Sequence, residues 1–310
     1  MSGRVLLTGA TGFVGRHAVG PLLARGFEVH AATRGTAATP ADGVRWHAGV
    51  DLLDPGAGAA LVRRVAPTHL LHFAWFVEHG AFWQSPENLR WVGASLDLLR
   101  AFAESGGRRA VISGTCAEYE WGGGECDERL TPERPATLYG ASKLALTRMA
   151  DAYGRVAGVS FATGRLFLLY GPHETPRRLV PSVVRALLDG EEARCTHGRQ
   201  LRDFLHVADA ADAFVALLAS DVEGPVNIAS GAPVRLRDVV TTIAEEIGRP
   251  DLVRLGAVTP PAGDPDALTA NVARLRDEVG WRPRVELRQG LADTIRWWAD
   301  AQSGAARGVA

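Results

Sequence analysis

A glycine-rich turn near the start of the chain restricts the fold more than any other feature. The segment Thr8-Gly-Ala-Thr-Gly-Phe-Val-Gly15 follows the short apolar run Val5–Thr8 and precedes apolar residues at helical spacing over Phe13–Arg25. Glycines permit a tight turn and a close approach of a pyrophosphate to backbone N–H groups, while the helix start adds unpaired donors and a positive dipole end. The segment therefore predicts a dinucleotide-binding turn whose cofactor-contacting residues are Gly9, Thr11, Gly12, Phe13, Val14 and Gly15.

Apolar runs typical of buried strands alternate with helical patterns through the first half of the chain. Strands are predicted at Val5–Thr8, Glu28–Thr33, His69–Ala74, Ala110–Ser113 and Ser160–Leu166, with helical patterns between them at Leu61–Ala66, Asn88–Glu104 and Leu138–Val156. Such alternation implies parallel pairing through right-handed crossovers, with helices on both faces of the sheet. The predicted fold class is α/β, a Rossmann-type doubly wound parallel sheet with a smaller C-terminal α/β lobe.

The regular alternation of strand and helix patterns ends at about residue 167, beyond which the patterns are shorter and are interrupted by prolines. We therefore predict a dinucleotide-binding domain over residues 1–166 and a substrate-binding lobe over residues 167–300, with some segments of the lobe returning to the first domain. The small, polar segment 301–310 is predicted to be a flexible tail.

Composition argues against several classes of partner. The 310 residues carry a net charge of -1, which does not suit a nucleic-acid or membrane surface, and no apolar run is long enough to span a bilayer. Cys116, Cys126 and Cys195 are an odd number of cysteines without metal-like spacing, so neither a disulfide framework nor a metal site is predicted. The expected location is the cytoplasm, and no signal peptide is evident at the N-terminus.

Lys143 is the one lysine among 34 basic residues, and it stands four positions after Tyr139. Positions i and i+4 share a face of a helix, so a phenol and an ammonium would lie side by side. The ammonium would favour the phenolate and lower the pKa of the tyrosine. A surface pair on an amphipathic helix is the alternative interpretation of the spacing alone.

Three motifs together resemble the extended, nucleotide-sugar-modifying branch of the short-chain dehydrogenase/reductase superfamily. They are the GxxGxxG spacing of the first turn, Tyr139-Gly-Ala-Ser-Lys143, and Arg202-Asp-Phe-Leu-His-Val207. The resemblance covers roughly residues 3–300. It implies that Tyr139 donates a proton to a developing alkoxide, that Lys143 lowers the pKa of Tyr139 and holds the nicotinamide ribose, and that Thr115, aligned four residues before Tyr119, hydrogen-bonds the carbonyl oxygen.

The end of the second predicted strand indicates which cofactor is used. In the family an acidic residue there selects NAD, whereas this strand ends at Arg34, which can pair with a 2′-phosphate, so NADP is predicted. An ordinary surface arginine is the alternative. Asp51 and Leu52 resemble the pair that lines the adenine, although Asp51 is equally compatible with capping a turn. Ala74 resembles the small residue beside the nicotinamide ribose.

The residues after Thr115 bear on the reaction. The resemblance places an Asp-Glu pair there in 4,6-dehydratases and a catalytic cysteine at the second position in GDP-fucose synthases, but this chain has Cys116 and Ala117. We therefore predict NADPH-dependent reduction of a keto group on a nucleotide-linked 4-keto-6-deoxy sugar. The alternatives are an NAD-dependent nucleotide-sugar epimerase, a reductase of a non-nucleotide ketone or aldehyde, and a non-catalytic NADP-sensing protein.

Substrate contacts are predicted at Thr115 and at three further residues. Arg202 resembles the arginine that binds the nucleotide diphosphate, although Leu168 replaces an asparagine that usually helps it. Trp75 begins an aromatic stretch that either lines the sugar pocket or covers the core. Glu118 is assigned to the substrate, with a solvated loop acid as the alternative. The resemblance also implies a homodimer formed through the helices predicted at Asn88–Glu104 and Leu138–Val156.

Overall fold

The computed structural model describes residues 3–35 and 43–307, with side chains as far as Ser303. The helices are α1 (Gly15–Ala24), α2 (Ala57–Val65), α3 (Glu87–Glu104), α4 (Leu138–Ala157), α5 (Leu179–Leu188), α6 (Val207–Ala219), α7 (Leu236–Ile247) and α8 (Leu287–Arg307). The strands are β1 (Arg4–Thr8), β2 (Glu28–Ala32), β3 (Val44–His47), β4 (His69–His72), β5 (Arg109–Thr115), β6 (Gly124–Cys126), β7 (Ser160–Leu166), β8 (Leu168–Tyr170), β9 (Ala193–Arg194), β10 (Leu201–Arg202), β11 (Phe204–His206), β12 (Gly224–Ile228), β13 (Val234–Arg235), β14 (Val253–Arg254) and β15 (Ala267–Ala270).

Within the described residues, seven strands form one parallel sheet in the order β12-β7-β5-β4-β1-β2-β3. The order reverses at β1, so the loops that follow β1 and β4 diverge and leave a crevice at the carboxyl ends of these strands. This arrangement confirms the predicted α/β fold with a doubly wound parallel sheet. The crevice is where open sheets of this kind bind ligands.

Both faces of the large sheet are covered by helices, because successive side chains of a strand point to opposite faces. In β1, Val5 and Leu7 pack into a cluster with residues of α1 and α6, such as Leu22 and Phe214. Leu6 points the other way, into a cluster built with α2, α3 and α4. This two-sided burial explains why the strands are apolar throughout instead of alternating with polar residues.

The later part of the chain builds a smaller set of sheets packed on α5, α7 and α8. Its four-stranded sheet has the order β13-β10-β15-β6, and two strand pairs, β8 with β11 and β9 with β14, complete it. Two segments beyond residue 167 return to the large sheet: β12 pairs with β7, and α6 packs on α1. The predicted division into two domains at residue 166 stays a prediction.

Two differences from the sequence-based predictions concern the ends of the sheet and of the chain. The edge strand β3 was not predicted, since its four residues are half-exposed and carry only two apolar side chains. α8 extends as far as Arg307, into the segment 301–310 that was predicted to be a flexible tail; the flexibility of this segment stays a prediction. Among the described residues, none of the helices combines the length and apolarity needed to cross a membrane.

Candidate active site

Two glycines of the turn between β1 and α1 have no room for a side chain. Gly9 adopts a φ of 69°, and a Cβ there would lie 2.8 Å from the backbone nitrogen of Ala74. A Cβ on Gly15 would overlap the carbonyl oxygen of Gly9, which accepts a 2.9 Å hydrogen bond from the N–H of Gly12. The turn therefore exposes backbone at its glycines next to a helix start, which fits the close approach of a dinucleotide pyrophosphate. Thr11, Phe13 and Val14 lie partly exposed on the same turn.

The other predicted cofactor residues follow neighbouring strand ends. Arg34 is exposed just beyond β2, next to the turn because β1 and β2 pair in parallel. Asp51 accepts a 3.0 Å hydrogen bond from the N–H of Leu53, so it caps a turn as the alternative interpretation expected. Leu52 is buried. Ala74 follows β4, and its N–H lies 3.4 Å from the hydroxyl of Thr8.

Thr115, Tyr139 and Lys143 are brought together where β5 ends and α4 begins. Thr115 is the last residue of β5, and its side chain lies close enough to that of Tyr139 to lower the pKa of the phenol. A Cβ on Gly140 would overlap the carbonyl oxygen of Ala117, so glycine lets α4 start directly against the turn after β5. Lys143, buried one helical turn later, donates a 2.7 Å hydrogen bond to the carbonyl oxygen of Ser113. A proton donor, a hydroxyl and an ammonium therefore converge at one strand end.

The pKa values at this site differ from the sequence-based expectation. Burial lowers the pKa of Lys143 to about 7, while the charge of Glu118 acts in the opposite direction. Burial also raises the pKa of Tyr139, against the lowering effects of the nearby Thr115 side chain and of the charge of Arg178. The predicted lowered pKa of Tyr139 is therefore wrong for this arrangement. The phenol holds its proton at neutral pH, as a proton donor must.

Glu118 lies in the protein interior. Its side chain is 0% exposed; one carboxylate oxygen accepts the N–H of Thr115 at 2.9 Å, and the other accepts from Nε of Arg165 at 2.8 Å. Because both carboxylate oxygens accept hydrogen bonds from the protein and the side chain is fully buried, a substrate cannot contact Glu118. The predicted substrate contact is wrong, and so is the alternative of a solvated loop acid.

Trp75 is also buried instead of lining a pocket. Its indole N–H donates a 2.8 Å hydrogen bond to Oδ1 of Asn88, and its ring packs beside Trp91. The ammonium of Lys143 lies 4.0 Å from the ring centroid, a cation–π contact. The predicted substrate contact at Trp75 is wrong, and the alternative, packing over the core, is right.

Arg202 is buried beside a cavity in the smaller part of the molecule. Its guanidinium donates to the carbonyl oxygen of Leu201 at 2.8 Å and to the carboxylate of Asp264. Asp264 lines a cavity of about 430 Å³ that also borders Trp121 and the Gly122–Gly124 run. The predicted contact of Arg202 with a diphosphate stays a prediction, and Asp264 is the group with which a phosphate would compete.

An aromatic row connects Tyr139 to the cavities. The ring of Trp83 lies 5.8 Å from that of Tyr139 and 6.2 Å from that of Trp121, both edge-to-face. Trp121 also lines a second cavity of about 490 Å³. The sequence analysis did not predict Trp121 as a site residue, because it considered only the aromatic stretch that contains Trp83. The position of Trp121, two residues after Tyr119, could have indicated that it lies near the site.

The positions after Thr115 cannot supply acid–base chemistry. Cys116 is buried, which raises the pKa of its thiol to about 12, and the next residue is Ala117. In the part of the chain that the structure describes, no three His, Cys, Asp or Glu side chains are grouped as metal ligands would be.

Comparison with known proteins gives the family. Residues 5–229 match the NAD dependent epimerase/dehydratase family. The chain is 28% identical over 334 residues to a UDP-glucose 4-epimerase of Streptomyces lividans, covering 98% of both proteins. It superimposes on the Thermus thermophilus UDP-glucose 4-epimerase complex with NAD (TM-score 0.82, 29% identity, 96% and 99% of the two chains) and on MoeE5 in complex with UDP-glucose and NAD (TM-score 0.83, 32% identity, 97% and 100%). The match across most of the chain, together with the glycine turn and the Thr-Tyr-Lys set, makes this protein a member of the NAD dependent epimerase/dehydratase family.

Proposed function

We propose that this protein is an oxidoreductase that reduces a keto group on a nucleotide-linked sugar with NADPH. The observation that carries the proposal is the convergence of Thr115, Tyr139 and Lys143 at the strand end beside the glycine turn. Thr115 would hydrogen-bond the ketone oxygen, and Tyr139 would give its proton to the oxygen as negative charge develops there. Lys143, fixed by the carbonyl of Ser113, would place an ammonium close to that proton donor.

NADPH, when bound, would supply the hydride for the ketone carbon. The backbone of Gly9–Gly15 would hold its pyrophosphate, because glycines at Gly9, Gly12 and Gly15 allow a close approach at the start of α1. Arg34 would pair with the 2′-phosphate, and Ala74, packed against Gly9, would leave space for the nicotinamide ribose. The buried ring of Phe82 and the half-exposed ring of Trp83, both packed on Tyr139, would limit the access of water to the reacting carbon.

The substrate class is supported by similarity to proteins whose solved complexes contain UDP-glucose. We place the sugar ring against Trp83 and Trp121, since these half-exposed rings lead from Tyr139 to the two cavities. Reduction is favoured over dehydration because Cys116 and Ala117 lack the acid and base that removal of water requires.

NAD-dependent epimerisation of a nucleotide sugar is the second candidate. It is favoured by similarity to UDP-glucose 4-epimerases over nearly the whole chain. An epimerase returns its hydride to the same sugar, so it would show no net use of NADPH. Purified protein that releases bound NAD on denaturation and interconverts two UDP-hexoses without added cofactor would support this candidate instead.

The proposed reductase is tested by following NADPH absorbance with a panel of 4-keto-6-deoxy nucleotide sugars. We expect turnover with NADPH to exceed that with NADH by about 10–100-fold in kcat/KM, the value of a charge-assisted pair between Arg34 and the 2′-phosphate. Arg34→Asp should abolish or reverse the preference. The control Arg63→Asp changes an exposed arginine in the last turn of α2, which lies at the amino end of β1 and away from the carboxyl end of β2 where Arg34 stands, and should leave the preference unchanged. Equal rates with both cofactors in the wild type would contradict the assignment.

We also propose that two copies associate through α3 and α4. One face of α4 carries exposed apolar or small residues at helical spacing: Ala141, Ala145, Met149, Ala152 and Val156. Met149 and Val156 are 52% and 86% exposed, and Leu89 of α3 is 60% exposed, so association would bury this surface. Met149→Glu should convert the dimer to a monomer in sedimentation equilibrium, because two like charges would face each other. Leu255→Glu, a matched change outside both helices, should leave a dimer, and a monomeric wild type would refute the proposal.

A further inference from the structure

A buried ion pair lies directly behind the catalytic strand end. The side chains of Glu118 and Arg165 are both 0% exposed and 2.8 Å apart, and Arg165 also bonds Glu133. Taking two charges out of water is costly, and replacing such a pair by apolar residues of similar volume is often neutral or stabilising. A buried pair at this place is therefore weak evidence of a contribution to stability and prompts the question of what else it does.

One carboxylate oxygen of Glu118 is hydrogen-bonded to the backbone of Thr115. It accepts the backbone N–H of Thr115 at 2.9 Å, while the Thr115 hydroxyl oxygen accepts the N–H of Ala117 at 3.2 Å. This reciprocal arrangement is a capping box on the single-turn helix Cys116–Glu118. Because the threonine oxygen is an acceptor toward Ala117, its own proton remains available for Tyr139 or a ketone oxygen. Gly114 leaves space for the carboxylate, since a Cβ there would lie 2.6 Å from it.

The charge of Glu118 acts on Lys143 as well. The groups that act on the ammonium are the Ser113 carbonyl of β5, the Trp75 ring, His72 of β4 and Glu118 of the turn after β5. Burial and the charge of Lys143 lower the pKa of His72 to about 3, so this imidazole is uncharged near neutrality. Glu118 is the group whose charge raises the pKa of Lys143 against burial.

We propose that Glu118, anchored by Arg165, is a positioning residue that fixes Thr115 at the end of β5 and supplies a buried negative charge beside the segment Ser113–Thr115, whose other end holds the Lys143 ammonium. It touches neither substrate nor cofactor and acts through Thr115 and Lys143. The inference rests on the proposed function for its effect on turnover, but not for its effect on Lys143.

Lys143 is the one lysine of the chain, so protein labelled with [15N]lysine gives a single Nζ resonance whose pH titration reports this residue alone. We expect a midpoint near pH 7 in the wild type. Glu118→Gln should lower the midpoint by roughly one pH unit, because the favourable charge is lost. Glu118→Asp should retain most of the wild-type value, and Glu133→Gln, which removes the other carboxylate from Arg165 without touching Thr115, should leave it unchanged.

Turnover should respond in the same order. A lysine that must stay protonated makes kcat fall as pH rises through its pKa, so Glu118→Gln should move the alkaline limb of kcat to lower pH. At pH 8 the variant should lose about tenfold from the smaller protonated fraction, and up to about 100-fold more if Thr115 is misplaced. KM should change little, since Glu118 does not contact the substrate.

An unchanged Nζ midpoint in Glu118→Gln would overturn the inference, as would an equal loss of kcat in Glu133→Gln and Glu118→Gln, which would indicate a purely structural role. If Glu118→Gln does not fold, the double variant Glu118→Gln/Arg165→Met removes both buried charges, and the pH titration of the Lys143 Nζ resonance is measured on it instead. A wild-type protein without turnover on any keto sugar would refute the proposed reductase, while the Nζ titration would still decide the role of Glu118.

Discussion

Tyr139→Phe is expected to lower kcat for ketone reduction by about 10²–10⁴-fold, the usual contribution of a positioned general acid. The substitution removes the proton donor but keeps the ring, which packs edge-to-face on Phe82 and Trp83 with centroids 4.8 Å and 5.8 Å away. Cofactor affinity and melting temperature should therefore remain close to wild type. Stopped-flow measurement of NADPH oxidation under single-turnover conditions isolates the chemical step.

The matched control for this prediction is Tyr153→Phe, which removes the phenol hydroxyl from another tyrosine of α4, more than three turns further along the helix. Its kcat should equal that of the wild type. Near-wild-type turnover in Tyr139→Phe would remove the residue from the mechanism and favour a different proton donor.

Gly15→Ala is expected to destabilise the protein and to weaken cofactor binding together. The new Cβ would overlap the carbonyl oxygen of Gly9, so α1 must move away from the turn. Forcing one carbon into a closely packed site costs about 1–3 kcal/mol, and the displaced turn would no longer present its N–H groups to a pyrophosphate. Denaturant unfolding and calorimetric titration with NADPH measure the two effects.

Gly20→Ala is the control on the same helix and should have the opposite sign. A Cβ at Gly20 meets no atom within 4 Å, so alanine should stabilise α1 by up to about 1 kcal/mol through its helix propensity. Cofactor affinity should not change. A Gly15→Ala protein as stable as the wild type and with unchanged NADPH affinity would show that the turn does not hold the cofactor.

Local sequence patterns were enough to predict those features of the fold and the site that depend on a single short segment. The parallel sheet followed from apolar runs separated by helical spacing, and the cofactor turn from glycines placed between β1 and α1. Tyr139 and Lys143 share a face of α4 because four residues make about one helical turn. One such signal was overlooked: Thr115-Cys116-Ala117-Glu118 has the spacing of a capping box, which the structure shows to be formed.

Contacts between segments that are distant in the sequence could not be predicted from local patterns. Glu118 was assigned to the substrate, with a solvated loop acid as the alternative, because its partner, Arg165, is 47 positions away. The two side chains meet only because β5 pairs with β7, which places Gly114 beside Arg165. Trp75 was predicted to line a substrate pocket, but its indole N–H bonds Asn88 and its ring contacts Lys143, and both partners are distant in sequence. The lowered pKa of Lys143 likewise needs the burial that α4 acquires against the sheet.

The sequence by itself determined the fold class, the position of the glycine turn and the shared helical face of Tyr139 and Lys143, because backbone geometry and helical periodicity act over a few neighbouring residues; Thr115 was assigned through the resemblance to the family. Only the tertiary structure decided which of the other side chains face a ligand and which support the site from behind. Burial and electrostatic pairing are properties of the packed layers: they turned Glu118 and Trp75 from presumed substrate contacts into the surroundings of Thr115 and Lys143, and they placed Trp121 in the row that begins at Tyr139.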